Sequence, residues 1–252
     1  MSSRRPLIAG NWKMFGRAAD LGEIGALAER VGAAAAAIDV LVCPPAAYVQ
    51  SAAWQSRGKP VLIGAQDCSP NGADAARTGE ISAAMLADAG AAYVIVGHSE
   101  RRTIHGETDD LVRQKAEAAI AAGLVPIVCV GETQAERAAG RVTEVVGRQV
   151  RASIPTQDGA FVVAYEPVWA IGGNSTPTLA EIGEVHALVR ETLTSQIGAQ
   201  ANQTRILYGG SVGPKNAAEI FTVDGVDGAL VGRASLKAAD FSAIILGHPA
   251  AH

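Results

Sequence analysis

Eight short apolar runs recur along this chain, and they constrain its fold more than any other feature. They read "PLIAGN", "DVLVC", "PVLIGAQ", "AYVIVGH", "VPIVCVG", "FVVAYE", "RILYGG" and "DGALVG". Runs rich in Val, Ile and Leu, with few polar interruptions, are how strands covered on both faces read. Longer segments of helical periodicity lie between them. One is "LVRQKAEAAIAAG", whose closing Gly123 suits the residue just past a helix end. Strand–helix alternation over 252 residues, with no linker or break in composition, predicts a parallel sheet closed into a single (β/α)8 barrel over residues 1–252. The competing architecture is an open doubly wound sheet. Its usual Gly-rich dinucleotide turn after the first strand is replaced here by "GNWKM". The stretch "GAAAAAI" reads as helix filler.

Composition fits such a core. Hydrophobic residues make up 48% and aromatics only 4%, so small and β-branched side chains must fill it. A net charge of −4 gives no broad basic field for nucleic acid or anionic membrane. An anionic ligand would therefore need local groups to hold it. Cys43, Cys68 and Cys129 are widely spaced, show no metal-ligand pattern and suit a reducing compartment. The opening "MSSRRPLIAGNWK" lacks a signal-peptide core, and no uncharged apolar run reaches membrane-spanning length. A cytoplasmic location is expected.

In a parallel barrel, chemistry gathers at the C-terminal ends of the strands. The first strand ends in Asn11 and Lys13. The fourth ends in His98, followed by Ser99 and Glu100, and the sixth in Glu166. The seventh and eighth run into "GGS" and "GRAS". Glycines there would let backbone N–H groups approach an oxyanion, with Ser211 adding a hydroxyl, although glycines also simply make tight turns. Glu166 stands before Pro167, which stops the strand, so a carboxylate meets an apolar wall. Its plain alternative is a solvated strand-end carboxylate. His98 reads either as a structural histidine or as a neutral ring at a helix start, with Ser99 the expected N-cap. Lys13 is a surface lysine or an anion partner. Glu100 orients Lys13, relays protons or is merely structural. Cys129 reads as core filler. His105, His186, His248 and His252 read as structural or solvent-facing.

The motifs "AGNWKM", "GAQD", "TGEISAAML", "VGHSERR", "PIVCVGET", "AYEPVWAIG", "YGGSV" and "VGRASLK", in this order and spacing, resemble the triosephosphate isomerase family over nearly the whole chain. The resemblance implies the TIM barrel and interconversion of dihydroxyacetone phosphate and D-glyceraldehyde 3-phosphate, with no cofactor and no metal. It implies Glu166 as the base, His98 as the electrophile, and Lys13 with Asn11 as substrate holders. Gly172, Ser211, Gly232 and Arg233 correspond to the phosphate grip. The family is itself a standard example of a Glu base, a neutral His and a closing loop. The loop "CSPNGADAARTGE" corresponds to one that reaches into a partner subunit, which implies a homodimer formed around Thr78. From composition alone, the same segment is a surface loop.

Two positions depart from the family pattern. Arg233 stands where Gly is usual, leaving the backbone N–H but adding a side chain. Pro177 falls where a lid-hinge N–H would meet the Tyr208 hydroxyl, and proline has none. Two rival functions remain. A different sugar-phosphate barrel enzyme would share the phosphate turns without needing "NWK", "HSE" and "YEPVWAIG" together. A non-catalytic binding barrel would be expected to lack one of Lys13, His98 and Glu166.

Overall fold

The computed structural model describes residues 4–171 and 176–252. Each of the eight apolar runs forms a strand: β1 (Leu7–Asn11), β2 (Asp39–Cys43), β3 (Leu62–Ala65), β4 (Tyr93–Val96), β5 (Val125–Val130), β6 (Val162–Tyr165), β7 (Arg205–Tyr208) and β8 (Gly228–Val231). Neighbours pair in parallel in chain order, and β1 also pairs with β8, so the sheet closes. The open doubly wound alternative is excluded by that last pairing.

Side chains alternate across the barrel wall, as the pleat requires. Leu7, Ala9, Leu41, Cys43, Ile95 and Cys129 belong to the inner cluster. Ile8, Val40, Val42, Val94 and Val128 join the outer cluster with the helices. Small and branched side chains fill the interior, so it is a packed core and not a pore. Its N-terminal end is closed by polar groups. Arg205 reaches Asp39 at 2.7 Å and the Tyr93 hydroxyl at 2.8 Å, joining the starts of β7, β2 and β4. The other end, where β1, β4 and β6 finish, is left for chemistry.

Some helix ends follow local rules, and two features depart from the sequence reading. Thr133 and Thr178 each form a capping box with the Glu three residues on, and Gly123 takes a positive φ of 80°. The Ala-rich stretch is not continuous α-helix. The helix Gly22–Val31 stops where Gly32 turns to φ 41°, and Gly32–Ala36 is a separate 3-10 turn. The helix Ser99–His105 is capped by His98 and not by Ser99: the His98 Nδ1 accepts from the Glu100 N–H at 3.2 Å. Among the described residues no helix is long and apolar enough to cross a membrane.

His186 has the structural role. It lies fully buried on the helix Leu179–Ile197, its Nδ1–H donating to the Gly225 carbonyl at 3.0 Å. Burial pushes its pKa down to about 4. The unfolded ring binds a proton near pH 6.5, so between pH 6.5 and 4 the unfolded state holds more protons. Stability from this group is therefore complete above pH 6.5 and falls as pH drops towards 4, by about 3 kcal/mol in all. His186→Gln is expected to be less stable at pH 7.5 and to lose less on acidification. Thermal unfolding at pH 7.5, 6 and 5 checks this. An identical pH slope in the two proteins would rule the assignment out.

Candidate active site

The end of β1 is shaped to present one lysine. Asn11 is buried, and its Oδ1 accepts the Lys13 N–H at 2.9 Å. Trp12 is anchored by its indole N–H to the Ser235 carbonyl at 3.1 Å. Between them and the next turn, Lys13 has φ 54°, the one positive φ of a non-glycine among the described residues. That left-handed backbone is unfavourable for a long side chain, and it persists here because both flanks are tied down. The Lys13 Nζ meets the Glu100 carboxylate at 2.5 Å. Of the three readings for Glu100, the geometry carries the one in which it orients Lys13.

His98 and Glu166 arrive from β4 and β6. Gly97 lifts the chain out of β4 at φ 64°, and a Cβ there would lie 2.6 Å from the Val112 side chain. The ring of His98 and the carboxylate of Glu166 are both buried, with Nε2 to Oε1 at 2.8 Å. The other Glu166 oxygen accepts the Ser99 N–H at 2.9 Å. Because the His98 Nδ1 already accepts a helix N–H, the neutral ring carries its proton on Nε2 and donates to Glu166. Glu166 is neither solvated nor isolated at its strand end.

Burial by itself would raise the pKa of Glu166. It is outweighed by the His98 ring bonded to it, helped by the Ser99 N–H and Lys13, and the carboxyl stays below its ordinary value. His98 is the mirror case. Burial acts to lower its pKa, but the Glu166 carboxylate outweighs it and the pKa is raised above the ordinary value. The Glu166 carboxylate therefore rests ionised, hydrogen-bonded and buried.

Two glycine turns border this group. Gly209 approaches so closely that a Cβ would lie 2.9 Å from the Glu166 Cγ. The turn that follows is closed by Asn216, which receives the Gly213 N–H at 2.8 Å and donates to the Ser211 carbonyl at 3.0 Å, leaving Ser211 exposed. On the turn after β8, a Cβ on Gly232 would lie 3.7 Å from the Lys13 Cε, and Arg233 is exposed. Gly172 lies outside the described residues. Asn11, Lys13, His98 and Glu166 thus gather with the two turns at one end of the barrel. Cys129 is buried inside it, where burial raises its thiol pKa well above the ordinary value, so it is inert filler beside Glu166.

One residue that local sequence did not single out is Glu132. It is fully buried past the end of β5. One oxygen gathers the Trp169 indole N–H at 2.9 Å, the Tyr165 hydroxyl at 3.2 Å and Arg137 at 3.1 Å. It thereby ties the short turn Val168–Ala170, just beyond Glu166, to β5 and β6. A lone Glu closing an apolar strand in "PIVCVGE" was the available signal. The Tyr208 hydroxyl is buried without a hydrogen-bond partner among the described residues, and Pro177, also buried, offers it no N–H.

Comparison with known proteins points to one family. The family model described as triosephosphate isomerase matches residues 6–247. The chain belongs to the triosephosphate isomerase family. A triosephosphate isomerase of Afipia carboxidovorans is 59% identical to it, covering 95% of this chain and 96% of that one. The Bradyrhizobium diazoefficiens triosephosphate isomerase is 55% identical, covering 97% and 98%. A crystal structure of triosephosphate isomerase from Bartonella henselae superposes with a TM-score of 0.89 at 44% identity, covering 96% of this chain and 98% of its own. The protein is an isomerase that interconverts dihydroxyacetone phosphate and D-glyceraldehyde 3-phosphate.

Proposed function

We propose that Glu166 is the base that moves a proton between the two carbons of the substrate, with His98 and Lys13 stabilising the oxygen charge that forms. The observation that carries this reading is the buried 2.8 Å contact between Glu166 and the Nε2–H of His98. A carbon acid beside a carbonyl is weak, so its removal needs donors aimed at the developing oxyanion. A neutral imidazole donating from Nε2 and the ammonium of Lys13 supply them. At rest, the same Nε2–H occupies Glu166. A substrate carbonyl that takes this donor frees the carboxylate, which loses the strongest influence holding its pKa down and becomes a better base. Asn11 acts by fixing the Lys13 backbone as well as from the site wall. The phosphate would lie over the turns of Ser211, Gly232 and Arg233, held mainly by backbone N–H groups. No cofactor or metal takes part.

Isomerising dihydroxyacetone phosphate in heavy water tests the proton route. Exchange through a carboxylic acid on Glu166 predicts solvent deuterium at C2 of most of the glyceraldehyde 3-phosphate formed. Complete retention of the original hydrogen would mean a direct hydride shift and would overturn the reading.

We further propose that one barrel domain over residues 1–252 does this work as a cytoplasmic homodimer joined around Thr78. The loop 72–80 is exposed throughout. Beside the base of that loop or beside Lys13 stand exposed Ile81, Met85, Met14 and Phe15, with Met14 95% accessible. Apolar side chains so placed next to a site favour burial against a second copy. Thr78→Arg is expected to lower dimer affinity and activity together, since a guanidinium in a packed interface is costly. Analytical ultracentrifugation with parallel assays checks it, and a fully active, stable monomer would refute it.

A further inference from the structure

The inference concerns the Arg233 side chain and rests on the phosphate reading of the turn after β8. The cations around that turn are not equivalent. Lys13 is paired with Glu100 at 2.5 Å and Lys237 with Glu23 at 2.9 Å. Each pair is nearly neutral when viewed from a distance. Arg233 is exposed and makes no hydrogen bond or ion pair with any described residue. It follows Gly232, whose Cα faces the Lys13 Cε. Its charge is therefore uncompensated at the mouth of the site, on a protein of net charge −4 that repels a phosphate dianion overall.

We propose that Arg233 is an electrostatic steering residue, drawing the dianionic phosphate end of the substrate to the mouth before the backbone turns take hold of it. An exposed guanidinium is screened by water and salt, so it contributes little to the final bound state and acts on encounter. A unit charge about 10 Å from a dianion in water changes the capture rate roughly two- to fourfold at low salt, and almost nothing once the screening length shrinks to a few Å. Triosephosphate isomerases work close to the diffusion limit, so encounter is a step where such a charge tells.

The test compares wild type, Arg233→Gln and Arg233→Glu with Lys59→Gln, an exposed cation ahead of β3 and so at the opposite end of the barrel. At about 20 mM ionic strength, kcat/KM for glyceraldehyde 3-phosphate should fall roughly two- to fourfold in Arg233→Gln and further in Arg233→Glu. Lys59→Gln, with the same net charge as Arg233→Gln, should not change it. At about 0.5 M salt all four proteins should converge, and kcat should stay within about twofold throughout. Turnover of unphosphorylated D-glyceraldehyde should show no dependence on residue 233. Equal loss at low and high salt would make Arg233 a direct ligand, and equal loss in Lys59→Gln would make the effect one of net charge. Either result, or no loss at all, overturns the proposal. Competition by inorganic phosphate in the wild type is measured separately. If phosphate does not compete, the phosphate reading of the turn fails; if it does, a negative result falls on steering alone.

Discussion

Glu166→Gln is expected to lower kcat by about 10² to 10⁴-fold, the usual contribution of a positioned general base, while KM changes far less. The local geometry sharpens the expectation. Glu166 uses both oxygens as acceptors, one for the His98 Nε2–H and one for the Ser99 N–H. A glutamine has one oxygen, so one of these two donors must face its NH2 group. The His98 ring cannot resolve the clash by moving its proton to Nδ1, because Nδ1 already accepts from the Glu100 N–H. The variant should therefore lose a little stability, about 1 to 3 kcal/mol for a buried polar group left unpaired, as well as its base. Glu166→Asp is the companion. It keeps a carboxylate but shortens it by one methylene, so reach fails before chemistry does. Steady-state kinetics with thermal unfolding on both variants make the check. Retention of more than a tenth of wild-type kcat by the glutamine variant would remove Glu166 from the role of base.

The parts of this molecule that the sequence discloses are those written in consecutive residues. Eight apolar runs became eight strands, because a strand buried on both faces needs a local run of Val, Ile and Leu and nothing else. The strand-end positions of Asn11, Lys13, His98 and Glu166 followed from the same runs, and their meeting at one mouth follows from barrel closure. What stayed hidden depends on residues distant in sequence. The cap of the helix after β4 is His98 because its ring turns back onto the Glu100 N–H, which leaves Ser99 free to offer its own N–H to Glu166, 67 residues away. The unfavourable backbone of Lys13 shows only when Trp12 is seen held by Ser235. Glu132 was not singled out in the sequence, and its place shows only when Trp169, Tyr165 and Arg137 converge on it. The Ala-rich stretch is a 3-10 turn and not a continuation of the α-helix for a local reason that propensity averaging passes over: Gly32 leaves α-helical backbone before the alanines begin.

Gly131→Ala is expected to be the most damaging single-methyl change near the site. Gly131 follows β5, and its Cα faces the backbone of Glu166 so closely that a Cβ would lie 1.7 Å from the Glu166 carbonyl oxygen. Backbone does not swing aside as a flexible side chain does. The Glu166 N–H is bound to the Val130 carbonyl at 2.7 Å. The Gly131 peptide is held on its other side by Gln149, which accepts its N–H at 2.7 Å and donates to its carbonyl at 3.2 Å. Relief requires the ends of β5 and β6 to part by more than an ångström, which breaks those bonds or carries Glu166 away from His98. A misplacement of about 1 Å at a reacting group costs on the order of 10²-fold in rate. The variant should therefore either fail to accumulate as folded protein or fold with kcat reduced by about a hundredfold or more. Gly22→Ala is the control. It opens the helix Gly22–Val31 at φ −57°, with nothing within 4 Å of the added Cβ, so it should leave both stability and rate nearly unchanged. Circular dichroism, thermal unfolding and steady-state kinetics on the pair decide the matter. A Gly131→Ala protein with the wild-type Tm and wild-type kcat would show that the β5–β6 seam yields at no cost, and that Glu166 is not held in place by backbone contact there.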